Sequence, residues 1–314
     1  MRQRVLVTGA AGFAGGHLLD LLTHDRIDHV VGWHRPGGAP PRHVDGVEWR
    51  AVDVLDRAAV RAGIEQFRPS AVYHCAGAAH VGRSWQTIEA TLAVNVRGTH
   101  HLIEALGEFT SDARLLLPSS AHVYAPSESA LREDHDLVPA SPYGLSKLAQ
   151  ELLCTGNQDR PPIVIARPFN HFGPRQDAWF ATSAFARAVA EIETGRARPE
   201  ISVGNLAARR DLTDVRDTVR AYRLILERGA PGRPYNVCSG RALAIRDVLD
   251  MLLARAKVPI AVAVDPERFR PNDFPVVVGD PSRIRDELGW EPTFSIERTI
   301  DDLLAFWRGI TQSV

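Results

Sequence analysis

The opening of the chain carries its strongest constraint: an apolar run, RVLVTG, leads through AAGFAG into the amphipathic segment HLLDLL. Gly9, Gly12 and Gly15 recur there at three-residue intervals. In a strand-to-helix turn one glycine can take backbone angles closed to other residues, and a second lets a pyrophosphate approach the chain. A third seats the helix on the strand with its N-terminal amides facing the anion. Gly9, Gly12, Phe13 and Ala14 are therefore the dinucleotide contacts expected of this turn.

The same alternation runs on through HVVGWHR, AVRAGIEQF, AVYHCAG, a long segment to about Leu106, RLLLPSSAHVY and IVIARPFN. Strand-length apolar runs alternating with helix-length periodic ones indicate a parallel sheet wrapped by helices. Val5 to Val7 and Ile163 to Ile165 are continuously apolar, as in strands covered on both faces. The expected fold is α/β, a Rossmann-type doubly wound parallel sheet over 1–167, with a smaller, mixed α/β C-terminal substrate domain over 168–314. Past Pro168 the strands shorten to EISVGN, IAVAVD and PVVVGD. Within that half DVRDTVRAYRLILERG reads as a helix capped by Asp214 and stopped at Gly229, followed by the strand YNVCSG. The segment of about 210–240 is expected to return to the first domain, so that the two interleave.

Composition narrows the function classes. With 45% hydrophobic and 24% charged residues, the chain matches globular usage and not a disordered, collagenous or coiled-coil one. Thirty-seven basic against 38 acidic side chains leave a net charge of −1, which excludes a global field for nucleic acid or an anionic membrane. Cys75, Cys154 and Cys238 are odd in number and lack metal-ligand spacing, so neither a disulfide framework nor a zinc site is expected. No apolar stretch has the length of a membrane span or the shape of a signal segment, and a cytoplasmic location is the expectation. Lysine occurs only at Lys147 and Lys257 against 35 arginines, so a lysine in a motif is informative.

The second strand ends at His34 and Arg35, where a site preferring NAD would place a carboxylate for the ribose hydroxyls. Arg35 suits a 2′-phosphate instead, favouring NADP(H) over NAD(H), although an arginine at a loop start can also be simply solvated. Asp53, with Val54 beside it, closes the third strand and suits the adenine amino group; its other reading is the N-cap of the next helix.

In SPYGLSK, Tyr143 precedes Lys147 by four residues, which places both on one helix face. An ammonium beside a phenol favours the phenolate and makes the tyrosine a proton donor and acceptor. Ser120, at the carboxyl end of a parallel strand, points its hydroxyl into the ligand crevice, although Ser119 or Ser120 could also satisfy turn amides.

TGAAGFAG, YHCAGAA, NVRGT, SSAHVY and YGLSK together resemble the extended short-chain dehydrogenase/reductase family over essentially the whole chain. The resemblance implies that Ser120 hydrogen-bonds the reacting oxygen. It also implies that Ala76 and Gly77 lie on the pyrophosphate side and that Asn95 has a structural role in the central helix. Pairing of two helices across a homodimer is implied as well. The C-terminal half, through RPFNHFGPRQ, VGNLAARRDLTDVRDTVRAY and FRPND, is similar to the GDP-mannose-modifying subgroup of 4-keto reductases and 4,6-dehydratases. That similarity places Ser84, Asn170, Asn205, Arg210 and Arg270 against a GDP-sugar substrate, with Arg210 and Arg270 clamping the diphosphate through their planar forks. Solvated arginines and turn-forming asparagines are the other readings of these positions.

Dehydratases of the subgroup have a Glu two residues before the tyrosine of the SSAHVY strand end; here that position is His122. A 4-keto reductase needs no such base. The expected function is thus NAD(P)H-dependent reduction of the C4 keto group of GDP-4-keto-6-deoxy-D-mannose to GDP-D-rhamnose. GDP-mannose 4,6-dehydration, with a neutral imidazole as base, is the first alternative. Nucleotide-sugar 4-epimerisation and a non-catalytic, cofactor-sensing role follow it.

Overall fold

Strand and helix follow each other as the apolar pattern sets them. The computed structural model describes residues 3–27, 29–38, 42–154, 161–269 and 274–312. The chain begins β1 (Arg4–Thr8), α1 (Phe13–His24), β2 (His29–His34), β3 (Val47–Ala51), α2 (Arg57–Phe67) and β4 (Ala71–His74). It continues through α3 (Val81–Ser84), α4 (Ile88–Leu92), a π-helical turn (Ala93–Arg97), α5 (Gly98–Phe109), β5 (Arg114–Pro118) and α6 (Pro142–Leu153). Next come β6 (Ile163–Pro168), β7 (Asn170–Phe172), α7 (Ala181–Glu193), β8 (Glu200–Val203), β9 (Arg209–Asp214), α8 (Val215–Arg228), β10 (Pro234–Val237) and β11 (Ala242–Ala244). The last elements are α9 (Ile245–Leu253), β12 (Ala261–Val264), β13 (Val276–Val277), α10 (Ser282–Leu288) and α11 (Ile296–Gln312).

A seven-stranded sheet in the order β10-β6-β5-β4-β1-β2-β3 forms the centre, and every neighbouring pair in it is parallel. Alternate side chains of these strands feed two separate cores. Val5, Val7, Val30, Leu116 and Val164 pack under α1 and α8, while Leu6, Val31, Val72, Leu115 and Leu117 pack under α2 and α5. Both faces of the inner strands are thus withdrawn from water, which is why β1 and β6 read as unbroken apolar runs, whereas the edge strand β3 stays partly exposed. The α/β reading of the sequence holds: this is a Rossmann-like doubly wound sheet.

Beyond Pro168 the chain leaves this sheet and comes back to it. The β10 strand pairs with β6, with Tyr235 opposite Ala166, and α8 lies on the same face as α1. Asp214 caps α8 by accepting from Arg216 N, and Gly229 ends the helix, as its sequence indicates. Trp290, fully buried in the core under α1 and α8, donates its indole N–H to Asp217 O, and the Asp217 carboxylate accepts from the amides of Thr293 and Phe294. A second, smaller group of strands centres on β9, which pairs with β7, β11 and β13, while β8 and β12 pair beside it. Phe172, Val189, Leu249 and Leu303 belong to the core that joins these strands to α7, α9 and α11. Among the described residues no helix is long and apolar enough to cross a membrane.

Close packing shows where α2 meets β2. A Cβ on Gly63 would lie 2.6 Å from Trp33 Cζ2, and Trp33 is 1% exposed. Helix propensity alone makes Gly→Ala worth about 0.5–1 kcal/mol of stability, whereas overpacking a rigid core costs about 1–3 kcal/mol. Gly63→Ala is therefore expected to destabilise the protein in equilibrium urea unfolding, despite lying inside a helix. A gain in stability would show that Trp33 has room to move.

Candidate active site

At the carboxyl end of the sheet, β1 and β4 approach backbone to backbone. Gly9 sits at φ +63°, and a Cβ there would fall 2.5 Å from Ala76 N. A Cβ on Gly15 would fall 2.3 Å from Gly9 O, so α1 can start this close to the strand only with glycine at that position. Gly12 is the N-cap of α1, and no side chain caps the helix, which leaves the amides of its first turn, from Phe13 and Ala14 onward, aimed into the crevice. Such a cradle fits a pyrophosphate, and its tightness is an observation independent of the glycine pattern.

A buried hydrogen-bond chain fixes the far wall. Thr8 Oγ1 accepts from Ala76 N at 3.2 Å and lies 2.8 Å from His74 Nδ1. On the other side of the ring, His74 Nε2 is 2.9 Å from Thr99 Oγ1, which itself donates to Asn95 O and accepts from Gln150 Nε2. Since the Thr99 proton is committed to Asn95, His74 carries its own proton on Nε2 and accepts from Thr8 on Nδ1. Burial pulls this histidine down to about 3, so it stays neutral. Asn95 lies in the π-helical turn, where its amide holds both Ala78 N and Ala78 O and donates to Ser146 Oγ at 2.8 Å. That is the structural task the family resemblance implies for it.

Ser120, Tyr143 and Lys147 come together across β5 and α6. Tyr143 and Lys147 are 8% and 7% exposed, the ammonium lies 5.9 Å from the tyrosine ring centre, and Lys147 Nζ donates to Pro118 O at 2.9 Å. Burial lowers Lys147 to about 8, with Cys75 and Glu151 acting in the opposite direction. Sequence reasoning has the lysine depress the phenol. Here burial dominates and holds Tyr143 above its ordinary value, opposed by the hydrogen bond from Ser120. Lys147 Nζ is 3.6 Å from where a Cβ on Gly77 would stand, so the triad and the glycine turn meet at Gly77. The His122 ring lies edge-on to Tyr143, 5.8 Å between centres, and its amide donates to Ser120 Oγ.

The remaining positions are less uniform. Arg35 is exposed, and its guanidinium has no hydrogen bond or ion pair with the described residues. Asp53 closes a local turn by accepting from Leu55 N, and the N-cap of α2 is Asp56. Val54 is buried, with its carbonyl 3.0 Å from His101 Nδ1. Ser84 is 1% exposed and its hydroxyl donates to Val81 O and accepts from Tyr143 N, so it braces the tyrosine backbone. Asn170 is exposed on β7, and its neighbour His171 stacks on Phe13 at 5.8 Å, which places β7 over the first turn of α1. Asn205 accepts from Ala207 N, and Arg210 donates to the carbonyls of Arg209 and Phe274. Arg270 lies outside the described residues.

Sequence reasoning passed over Trp179 and Phe180, which form an aromatic group with His80. His80 Nε2 lies 3.4 Å from Trp179 O, His80 packs on Phe180, and Arg83 covers the indole of Trp179, which remains 61% exposed. Neither loop carries a periodic or motif signal. Glu151, on the same face of α6 as the Tyr–Lys pair, was passed over as well.

Residues 6–303 match the family described as GDP-mannose 4,6 dehydratase. The chain is 34% identical over 312 residues to a GDP-6-deoxy-D-mannose reductase from Pseudomonas aeruginosa, covering 98% of each. Its fold is similar to that of RMD from Pseudomonas aeruginosa complexed with NADPH, with a TM-score of 0.83 and 31% identity over 98% of this chain and 99% of that one. It is also similar to a Thermus thermophilus UDP-glucose 4-epimerase in complex with NAD, with a TM-score of 0.87 and 28% identity over 98% and 99% of the two chains.

The glycine turn can be tested on its own. Gly9→Ala combines a positive φ with a backbone overlap, whereas Gly37→Ala, at φ +70°, meets open space. The second should cost about 1–2 kcal/mol, and the first roughly 1–3 kcal/mol more, in parallel urea titrations. Equal losses would mean that the β1–β4 contact yields easily.

Proposed function

This chain belongs to the GDP-mannose 4,6 dehydratase family, and on that premise we propose that it is a reductase of the C4 keto group of GDP-4-keto-6-deoxy-D-mannose, forming GDP-D-rhamnose. The observation that carries the reading is the Ser120–Tyr143–Lys147 group standing beside His122, where a dehydratase needs a carboxylate base. Two carboxylates around α6 are already engaged, Glu151 with Arg167, and Glu133 with Arg283 and the Asn236 amide.

Gly9, Gly12, Phe13, Ala14, Ala76 and Gly77 would hold the pyrophosphate of a nicotinamide dinucleotide. Asp53 and Val54 would flank its adenine, and Arg35, exposed just past β2, favours NADP(H) over NAD(H). When bound, the nicotinamide supplies the hydride that C4 receives. The protein's own part is the proton. Ser120 Oγ hydrogen-bonds O4, and the Tyr143 phenol, kept protonated by burial, donates from Oη to O4 as negative charge grows there. The Lys147 ammonium then balances the phenolate left behind. Ser84, Asn170, Asn205, Arg210 and Arg270 are the proposed GDP-sugar contacts, Ser84 also holding the tyrosine backbone.

Purified protein given the keto sugar and NADPH should consume nicotinamide absorbance with formation of GDP-rhamnose. Tyr143→Phe should keep cofactor binding and lower kcat by about 10²-fold or more. Consumption of GDP-mannose alone, with no added reductant, would instead establish the dehydratase.

Burial pulls the Lys147 ammonium down from its ordinary value to about 8. Its charge is present below that pH and lost above it, so kcat should hold on the acid side and fall as pH rises through about 8. Stability runs the other way across this window, because the unfolded lysine retains its proton to higher pH and the unfolded state then binds more protons. A kcat that climbs through that range would contradict a role for the ammonium.

A further inference from the structure

Pro118, Ser119 and Ser120, at the end of β5 and just beyond it, each meet a residue of α6. Lys147 Nζ reaches Pro118 O at 2.9 Å and Ser119 Oγ donates to Glu151, while the Ser120 hydroxyl acts on the Tyr143 phenol, lowering it against burial. Their helix partners, Tyr143, Lys147 and Glu151, follow at intervals of four residues and so share one face. Two of the three belong to the chemistry proposed above, whereas Glu151 has no step in it. Yet Glu151 is buried and paired in bidentate fashion with Arg167, Nε to Oε1 at 2.9 Å and Nη2 to Oε2 at 2.7 Å. Arg167, also buried, donates further to Tyr124 Oη and Glu133 O. A buried ion pair is often no more stabilising than apolar residues of similar volume, so stability alone does not account for a charge at this depth.

We propose that Glu151, neutralised by Arg167, is a positioning residue: it ties the Ser119–Ser120 corner to α6 and is the anion facing Lys147 from within the protein. The inference rests on the proposed reduction at Tyr143. The titratable groups around Lys147 support it. From the end of β4 come His74, which is neutral, and Cys75, whose thiol burial pushes up to about 12. Its own helix contributes Tyr143 and Glu151, and Tyr222 of α8 stands beyond Cys75 with its phenol raised by burial. Among these described groups only the Glu151 carboxylate opposes the loss of the lysine proton at neutral pH.

Two variants test it in the full chain. Glu151→Gln alone would leave Arg167 unpaired in the interior, so the pair is neutralised together as Glu151→Gln/Arg167→Gln, with Ser119→Ala as the second variant, which keeps the ion pair. Because the chain has two lysines, a spectrum of protein labelled with ¹³C at lysine Cε resolves Lys147 from Lys257, and its titration needs no substrate. In the folded double variant Lys147 should titrate at lower pH than in the wild type. There kcat should fall by roughly ten- to hundredfold, as expected for a displaced reacting group, with KM within about twofold. A folded double variant with wild-type kcat, or with an unchanged Lys147 titration, overturns the proposal and leaves a structural ion pair. If the double variant does not fold, Ser119→Ala decides: a severalfold loss of kcat at constant KM supports the tie, and wild-type kcat overturns it. A wild-type enzyme inactive on the keto sugar would defeat the functional reading while leaving the titration valid.

Discussion

Backbone contact between the ends of β1 and β4 governs the rest of the site. Because Gly9 has no side chain, the two strand ends lie close enough for one hydroxyl, that of Thr8, to serve both the Ala76 amide and the His74 ring. From His74 the chain of bonds passes to Thr99, Asn95 and Gln150, and through Asn95 to Ser146 one residue before Lys147. The place of the Tyr–Lys pair relative to the glycine turn is thus set through buried hydrogen bonds, each of which would leave an unsatisfied group if broken. A neutral imidazole at the centre suits this task, since it donates on one nitrogen and accepts on the other without placing a charge inside the sheet.

What could be read in advance was what is local. The glycine spacing, the apolar runs, the helix from Asp214 to Gly229 and the Tyr143–Lys147 interval each depend on neighbours within a turn or a strand, and each appears in the structure. Asp53 shows the margin of such reasoning: both Asp53 and Asp56 can cap, and the geometry gives the cap to the one three residues ahead of an available amide. Ser84, Glu151 and the Trp179 group depend on segments that meet only in the folded chain. Ser84 and the backbone it braces are 59 positions apart, and Ser119 and Glu151 are 32 apart. The expected depression of the tyrosine failed for a related reason, since spacing reports which groups are close and not how far both are withdrawn from water.

The preference for arginine acquires a further meaning in the structure. Besides surface pairs and proposed phosphate contacts, several arginines close loops by gathering backbone carbonyls. Arg114 donates to Leu226 O and Gly229 O, Arg210 to Arg209 O and Phe274 O, and Arg283 to Pro234 O. A planar fork with several donors can satisfy carbonyls left over where helices and strands end, while the small ammonium of lysine offers no such spread. One of the two lysines lies at the candidate catalytic position, where a compact charge that can lose its proton is what the chemistry calls for.

The return of the chain to its first sheet bears on how the protein is made. Until β10 has left the ribosome, β6 is an edge strand of parallel sheet, buried in the finished protein but open to pairing before that point. The core beneath α1 also waits for Tyr222, Ile225, Ile284 and Trp290, all supplied by the second half of the sequence. Pairings this distant close large loops and form slowly. The nascent N-terminal half therefore passes through a stage with an apolar face and an open edge exposed, and its yield in a cell depends on how synthesis and chaperones cover that interval.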